Sequence, residues 1–215
     1  MQMGLISEIA WLLSYPCQPF TIRFPGFKLH IKKEPKYKQR NEILRNEFLN
    51  QIEKIALEDL VYVDETGIDD NIVVQYGWSE KGERSYAEQS GFKTERLSII
   101  AGYVYGSKEL IAPFEFKGYT DTALFNGWFE NILCPQLRPG QIVILDNASF
   151  HKSPDLIEII QNTGCYLVFL PPYSPDLNPI EKVWANFKRN LRKVIKKCGS
   201  FRDAITQAMR KTFPD

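Results

Sequence analysis

The chain has 215 residues, of which 44% are hydrophobic and 13% aromatic, and its formal net charge is +1. This composition supplies enough apolar side chains for one sizeable core. The cysteines form no CxxC pair, which excludes a disulfide framework and a zinc site and predicts free thiols in a reducing cytoplasm. The apolar run at residues 5–13 is too short to span a bilayer, so we expect no membrane partner.

The charge is unevenly distributed along the chain. Residues 22–54 hold nine Lys/Arg and four Asp/Glu, residues 55–180 hold eight and eighteen, and residues 181–211 hold ten and two. An acidic middle between two basic ends is typical of a protein that concentrates metal ions centrally and binds a polyanion around them. Solvated helix faces give the same pattern and, on charge alone, are the simpler interpretation.

The N-terminal part of the sequence predicts an arm followed by a helix. Residues 1–35 show no clear periodicity and contain four prolines, so we expect an irregular arm. Residues 39–57 repeat apolar side chains with helical spacing and predict an amphipathic linker helix. Its apolar stripe consists of Ile43, Leu44, Phe48, Ile52, Ile55 and Ala56. We therefore expect an N-terminal region over residues 1–57 and a second domain over residues 58–215.

The sequence of the second domain predicts strands first, followed by alternating helices and strands. In chain order, the elements are strands at 60–67, 96–106 and 109–118, a helix at 120–137, a strand at 141–149, a helix at 153–164, a buried strand at 165–172, a helix after Pro179 and a last helix at 201–212. Antiparallel hairpins followed by βαβ units imply an α/β domain, with a mixed five-stranded sheet and helices on both faces.

Two aspartates follow predicted strands. Asp64 ends the first strand, and Asp146 ends the strand IVIL. The carboxyl ends of strands form the ligand-binding crevice of open α/β sheets, so we expect both at one rim if the strands are neighbours. Close carboxylates repel, and Mg²⁺, which prefers hard oxygen ligands, would relieve the repulsion. Each aspartate taken alone is equally well explained as a turn residue at a strand end.

A third carboxylate, Glu181, follows a segment with four prolines. Asn178 suits the N-cap and Pro179 the first helical position, which places Glu181 where it can close a capping box. Helical geometry also puts Glu181 about 100° from the centre of the apolar face, on one stripe with Lys188 and Arg192. The prolines would hold the helix start rigidly, which matters for a metal ligand and little for a surface cap. Both interpretations remain open on spacing alone.

Three segments carry a family resemblance. They are VDETG at 63–67, ILDNASFHKS at 144–153 and LPPYSPDLNPIEKVWANFK at 170–188. These segments resemble the three catalytic blocks of DDE-superfamily transposases, in the mariner-type branch of bacterial insertion sequences. The 34 residues between Asp146 and Glu181 match the spacing of that branch.

The resemblance, which runs from about Lys36 to the C-terminus, implies a fold, a reaction and partners. The fold is a ribonuclease-H-like catalytic domain whose catalytic and metal-binding triad is Asp64, Asp146 and Glu181. The reaction is DNA cleavage and strand transfer with Mg²⁺ or Mn²⁺, bound as two ions. The partners are transposon ends and target DNA, held by a homodimer on paired ends. Such a protein would be cytoplasmic and associated with the bacterial nucleoid.

Six further residues are candidates for DNA contact. The helix that carries Glu181 continues with four candidate phosphate ligands, which are Lys188, Arg189, Arg192 and Lys193. Asn147 can contact a ligand or a phosphate, and a turn role is the alternative. His151 can contact DNA or a water near the metal ions, and a structural role is the alternative.

The sequence departs from the family at its N-terminus. Relatives usually carry a longer helix-turn-helix region there, whereas 63 residues precede Asp64. We therefore expect residues 1–57 to be a truncated DNA-binding region, and a polypeptide from an upstream frame to supply end recognition. The alternative function is a catalytically idle DNA-binding or assembly remnant. A phosphatase with an aspartyl nucleophile is disfavoured, because Thr66 stands where that motif needs a second acid.

Overall fold

A computed structural model describes residues 23–24, 27–28, 37–70, 72, 86 and 95–213. The chain divides into two compact units, Met1–Tyr37 and Lys38–Asp215. In the first unit, strands β1 (Arg23–Phe24) and β2 (Phe27–Lys28) pair antiparallel. The rest of the predicted arm, residues 1–35, lies outside the described residues.

The described residues of the second unit form one sheet and five α-helices. The strands are β3 (Leu60–Asp69), β4 (Arg96–Val104), β5 (Glu109–Lys117), β6 (Ile142–Leu145) and β7 (Tyr166–Phe169). The helices are α1 (Glu42–Ile52), α2 (Thr122–Trp128), α3 (Pro154–Asn162), α4 (Ile180–Val194) and α5 (Phe201–Thr212). A π-helical turn, Phe129–Leu133, and a 3-10 turn, Cys134–Gln136, extend α2, so the helix predicted at 120–137 is one continuous helical run.

The sheet has the order β5-β4-β3-β6-β7. The pairs β3–β4 and β4–β5 are antiparallel, whereas β3–β6 and β6–β7 are parallel. This confirms the predicted mixed five-stranded sheet, with hairpins first and βαβ units later. The prediction of a buried last strand was wrong, because β7 is an edge strand whose Tyr166 is exposed and whose other residues are only half-buried.

Two hydrophobic cores cover the two faces of the sheet. Side chains alternate between the faces of a strand, so Leu60 and Tyr62 of β3 pack against α4 and α5, whereas Val61 and Val63 pack against α2 and α3. The buried face of α4 contains Ile180, Trp184, Phe187, Leu191 and Val194, as its periodicity predicts. By the same alternation, Asp64 shares the face covered by α4, and the next residue along β3 shares the opposite face.

Helix α1 is shorter than predicted and buries only part of the predicted stripe. It begins after Asn41, whose side chain accepts hydrogen bonds from the first turn. Phe48 is buried in the core against α4, but Ile43 and Leu44 are 70% and 41% exposed. Arg45 is buried instead, with 8% exposure, and its charge is neutralised by the carboxylate of Asp176. Helix α1 lies in the same compact unit as the sheet.

Two further observations concern the described part of the chain. Cys134, Cys165 and Cys198 are free thiols. No helix there combines the length and the apolar character needed to cross a membrane.

Candidate active site

Asp64 lies within β3 and not at a strand end, where the sequence predicts it. Strand β4 pairs with β3 along the full length of the latter and holds Asp64 opposite Ala101. The parallel pairing with β6, by contrast, stops at Tyr62 and Ile144. Asp64 therefore stands where β3 continues beyond the end of β6. Asp64 thus lies beside the carboxyl end of β6, which is where open α/β sheets bind their ligands.

Asp146 follows β6 directly and is fixed by two hydrogen bonds. Its Oδ1 accepts from the backbone N–H of Ala148 at 2.9 Å and from Nδ1 of His151 at 2.7 Å. Partial burial raises the pKa of Asp146, but the hydrogen bonds from His151 and Ala148 outweigh burial and lower it below its usual value. Asp146 is therefore ionised at neutral pH, with one of its oxygens already oriented by the protein.

His151 joins Asp146 to a second carboxylate that sequence reasoning did not assign. Its Nε2 lies 3.2 Å from Oε1 of Glu65, and its ring packs 4.2 Å from Phe125 and 4.3 Å from Phe150, measured between ring centroids. Burial lowers the pKa of His151, but hydrogen bonds and charges from the two carboxylates raise it to about 9. His151 is therefore an imidazolium at neutral pH, and we name the three residues Glu65, His151 and Asp146 the histidine clamp.

The histidine clamp changes the interpretation of His151. Its side chain is 1% exposed and both ring nitrogens have carboxylate partners, which favours the structural alternative over DNA contact. The side of the sheet on which Glu65 lies could have been predicted from the sequence. Consecutive residues of a strand face opposite sides, so the acid next to Asp64 had to point away from the face covered by α4.

Glu181 lies in the first turn of α4, but the predicted capping box is not formed. Asn178 is extended and buried, and its Oδ1 has no hydrogen-bond partner among the described residues. The Glu181 N–H donates to the Asn178 carbonyl at 3.2 Å, so only the backbone closes this turn. Burial and the charge of Asp146 raise the pKa of Glu181, and Lys188 opposes the shift. The carboxylate therefore faces other charges and not the helix end.

The pKa shifts indicate that the three predicted acids lie near enough to influence one another's charge. Burial raises the pKa of Asp64 well above its usual range, and the charges of Glu181, Glu65 and Asp146 raise it further. Strand β3, the end of β6 and the start of α4 thus supply carboxylates to one place. Such a cluster is destabilised by its own repulsion unless a proton or a cation neutralises it.

The acids fit a divalent cation by chemistry, though they do not enclose one in this conformation. All are hard oxygen donors, as Mg²⁺ and Mn²⁺ prefer, and their mutual repulsion is what a cation relieves. Among the residues that the structure describes, no three Asp, Glu, His or Cys side chains lie close enough to hold one ion. A shift of at least one carboxylate would have to accompany binding.

The predicted DNA-contact residues differ in their surroundings. Burial lowers the pKa of Lys188, whereas the charges of Glu181 and Asp64 raise it, so this amine lies beside the acids. Arg189 is half-buried and donates from Nη2 to Asn186 at 2.6 Å. Arg192 is half-buried and Lys193 is exposed.

Asn147 has an intramolecular role. Its side-chain amide donates to the Leu170 carbonyl, which ties the residue after Asp146 to the start of the proline-rich segment. This contact agrees with the turn interpretation of Asn147 and occupies its amide group.

Replacing Asp64 by asparagine should stabilise the metal-free protein. The pKa of Asp64 is higher in the folded chain than in the unfolded chain, so ionising this group opposes folding at any pH above the folded-state value. Asp64→Asn removes that cost, and we expect the free energy of unfolding to rise at pH 8. Urea unfolding in EDTA measures it, with the exposed Asp155→Asn as control. A less stable Asp64→Asn protein would contradict this electrostatic description.

Comparison with known proteins identifies the family. The chain belongs to the DDE superfamily endonuclease family, whose model matches residues 59–202. The matched range contains the three acids and the histidine clamp. The superfamily resemblance of the three sequence segments is thereby confirmed.

Solved structures agree with the fold. The Mos1 strand transfer complex matches with a TM-score of 0.58 at 16% identity over 85% of this chain and 63% of that chain. The Mos1 transposase paired-end complex with left transposon end matches with a TM-score of 0.59 at 14% identity over 96% of this chain and 66% of that chain. The ribonuclease-H-like fold class is confirmed by these similarities.

One curated relative matches a short segment of this chain. The uncharacterized protein y4pE/y4sA of Sinorhizobium fredii (strain NBRC 101917 / NGR234) is 45% identical over 49 residues, which are 23% of this chain and 34% of the relative. The chain thus matches about a third of this relative and less than two thirds of Mos1 in the strand transfer complex.

Proposed function

We propose that this chain is the catalytic domain of a DNA transposase that cleaves DNA and transfers the cut strand with Mg²⁺ or Mn²⁺. The proposal is supported by the charge interactions among Asp64, Asp146 and Glu181, which come from three separate elements within the family match. Asp64 and Glu181 have raised pKa values in part because the acids repel one another. The chain maintains this repulsion at one place, which a purely structural site would have no reason to do.

Asp64, Asp146 and Glu181 would hold the metal, which we propose to be two ions. When bound, two ions activate a water or a 3′-hydroxyl and stabilise the leaving oxygen of a phosphoryl displacement. The protein contributes orientation to this chemistry. His151 fixes Oδ1 of Asp146, so that the carboxylate keeps one orientation, and Lys188 offers a cation to a phosphate next to Glu181.

DNA would contact the basic stripe of α4. Lys188 and Arg192 follow Glu181 at seven and eleven residues and therefore lie on the same side of the helix. A phosphate backbone that crosses the acids would then meet these two cations, with Lys193 at the exposed edge. Arg189 contacts Asn186 and would need to exchange that partner for a phosphate.

We propose an insertion-sequence transposase of bacteria that acts in the cytoplasm on nucleoid DNA and works as a homodimer on paired transposon ends. The description of Mos1 as a paired-end complex supports this assembly by analogy.

A nicking assay with Asp146→Asn tests the proposal. Wild-type protein is expected to nick supercoiled plasmid DNA in Mg²⁺ or Mn²⁺ and not in EDTA. Asp146→Asn should reduce the rate about a thousandfold, a barrier change of about 4 kcal/mol, because it removes a charged metal ligand and leaves the His151 imidazolium with a neutral acceptor. The exposed Asp155→Asn should nick like wild type.

Two outcomes would overturn the proposal. Equal nicking by wild type and Asp146→Asn would mean that the activity belongs to a contaminant or to another site. DNA binding without nicking by the wild-type protein, in either metal, would favour the idle DNA-binding remnant.

A further inference from the structure

We infer that Arg45 of α1 is a positioning residue for Glu181 and acts through Asp176. The inference rests on the proposed function, because it assumes that the location of the Glu181 carboxylate matters to metal binding. Nothing in the family match, which begins at residue 59, includes Arg45.

Arg45 and Asp176 form a two-pronged ion pair. Nη1 of Arg45 donates to Oδ1 of Asp176 at 2.9 Å, and Nη2 donates to Oδ2 at 2.6 Å. Glu42, one turn earlier on α1, lies 3.5 Å from Nε of Arg45. The Arg45 residue is 8% exposed, whereas the side chain of Asp176 is 37% exposed, so solvent reaches the pair from the Asp176 side. A planar guanidinium bound to both carboxylate oxygens fixes direction as well as distance.

A short and stiff path connects Asp176 to Glu181. Asp176 lies in a 3-10 turn, Pro175–Leu177, in which Leu177 N–H donates to Ser174 at 3.0 Å and Asn178 N–H donates to Pro175 at 2.9 Å. Pro179 follows with a restricted φ of −65°. A shift in the position of Asp176 would therefore also shift Glu181, because the residues between them have few conformations available.

The other end of this segment is already tied to the sheet. The Leu170 N–H donates to the Leu145 carbonyl at 2.8 Å, and the Leu170 carbonyl accepts from Asn147. Leu145 and Asn147 flank Asp146. The segment thus runs from Asp146 to Glu181, fixed at its start by the sheet and near its end by Arg45.

The contact between α1 and this segment is interrupted by a cavity of about 630 Å³. Leu49 and Ile52 of α1 line one side, Tyr62 of β3 another, and Asp176 and Pro179 a third. Along this cavity α1 and the segment are not packed against each other, although Leu177 packs against the core that contains Phe48. Without the ion pair, the 3-10 turn has room to move toward the cavity and to carry Glu181 away from Asp64 and Asp146.

Mn²⁺ binding by the full chain tests the inference without relying on activity. Electron paramagnetic resonance of free Mn²⁺ gives the affinity of wild type, Arg45→Met, Arg45→Lys and Asp176→Asn. We expect about tenfold weaker binding for Arg45→Met and Asp176→Asn, as for other residues that orient metal ligands, and a smaller loss for Arg45→Lys. Arg202→Met is the matched control, because it breaks an ion pair of similar length, 3.0 Å to Glu115, elsewhere on the domain.

The comparison with Glu181→Gln separates the inference from the proposed function. If Arg45 acts through Glu181, adding Arg45→Lys to Glu181→Gln should cause no further loss of Mn²⁺ affinity. Wild-type affinity in Arg45→Lys and Asp176→Asn, beside weakened binding in Glu181→Gln, would overturn the inference alone. Unchanged binding in Glu181→Gln would overturn the proposed function together with it. If Arg45→Met fails to fold by circular dichroism, the Arg45→Lys and Asp176→Asn results decide.

Discussion

The Glu181→Gln protein is expected to fold like wild type and to lose metal-dependent DNA cleavage by about a thousandfold, equivalent to about 4 kcal/mol in the barrier. The amide keeps the length and the hydrogen-bonding capacity that a capping residue needs. It lacks the negative charge, so it is a poor ligand for Mg²⁺ and does not contribute to the repulsion among the acids. Cleavage rate, thermal unfolding and DNA affinity, measured on the same preparation, separate the two roles.

The control for this variant is Glu158→Gln, an exposed glutamate of α3. It should leave cleavage, stability and DNA binding unchanged. Cleavage retained by Glu181→Gln would assign Glu181 to a structural role at the start of α4. Loss of folding together with cleavage would also count against the account, since the structure gives the Glu181 carboxylate no capping contact.

The largest expected loss of stability follows from breaking the histidine clamp. His151→Ala should lower the free energy of unfolding by about 3–5 kcal/mol at pH 7, because removing a buried charged partner leaves two carboxylates uncompensated. It also removes the ring that packs between Phe125 and Phe150. Urea unfolding followed by circular dichroism measures the change. A loss below about 1 kcal/mol would mean that the imidazolium is not a major tie between Glu65 and Asp146.

The histidine clamp also predicts a pH dependence with a definite sign. The pKa of His151 is raised in the fold from 6.5 to about 9. Its stabilisation is therefore fully present below pH 6.5 and decreases as the pH rises through 9. Wild-type stability should fall across this window, and the fall should be smaller in His151→Ala. Equal slopes in the two proteins would contradict the assignment of the charge to His151.

The alternation of strands and helices could be predicted because each buried element carries its own period. The apolar spacing of α4 identified Trp184 and Phe187 as core residues, and both are buried. The run IVIL identified a central strand, which lies between two parallel neighbours in the sheet. Asp146 and Glu181 were predictable from such local signals together with the resemblance of the flanking segments.

The features that sequence did not predict depend on partners distant in the chain. Asp64 was expected at a strand end, because the sequence does not reveal that β4 continues to pair beyond it. The burial of Arg45 could not be predicted from local sequence, because its partner Asp176 lies 131 residues away. The charge of His151 depends on Glu65, which pairs with it across 86 residues. Long-range strand pairing decided the first of these positions and tertiary electrostatics the other two, and neither depends on local propensity.

The central claim is that three carboxylates from separate elements form one metal site. The most direct test is a crystal of the full chain soaked in Mn²⁺, with an anomalous difference map recorded at the manganese edge. The account predicts anomalous density in contact with the carboxylates of Asp64, Asp146 and Glu181, with His151 still bound to Asp146. Density confined to other carboxylates, or none at a Mn²⁺ concentration that supports nicking, would contradict it.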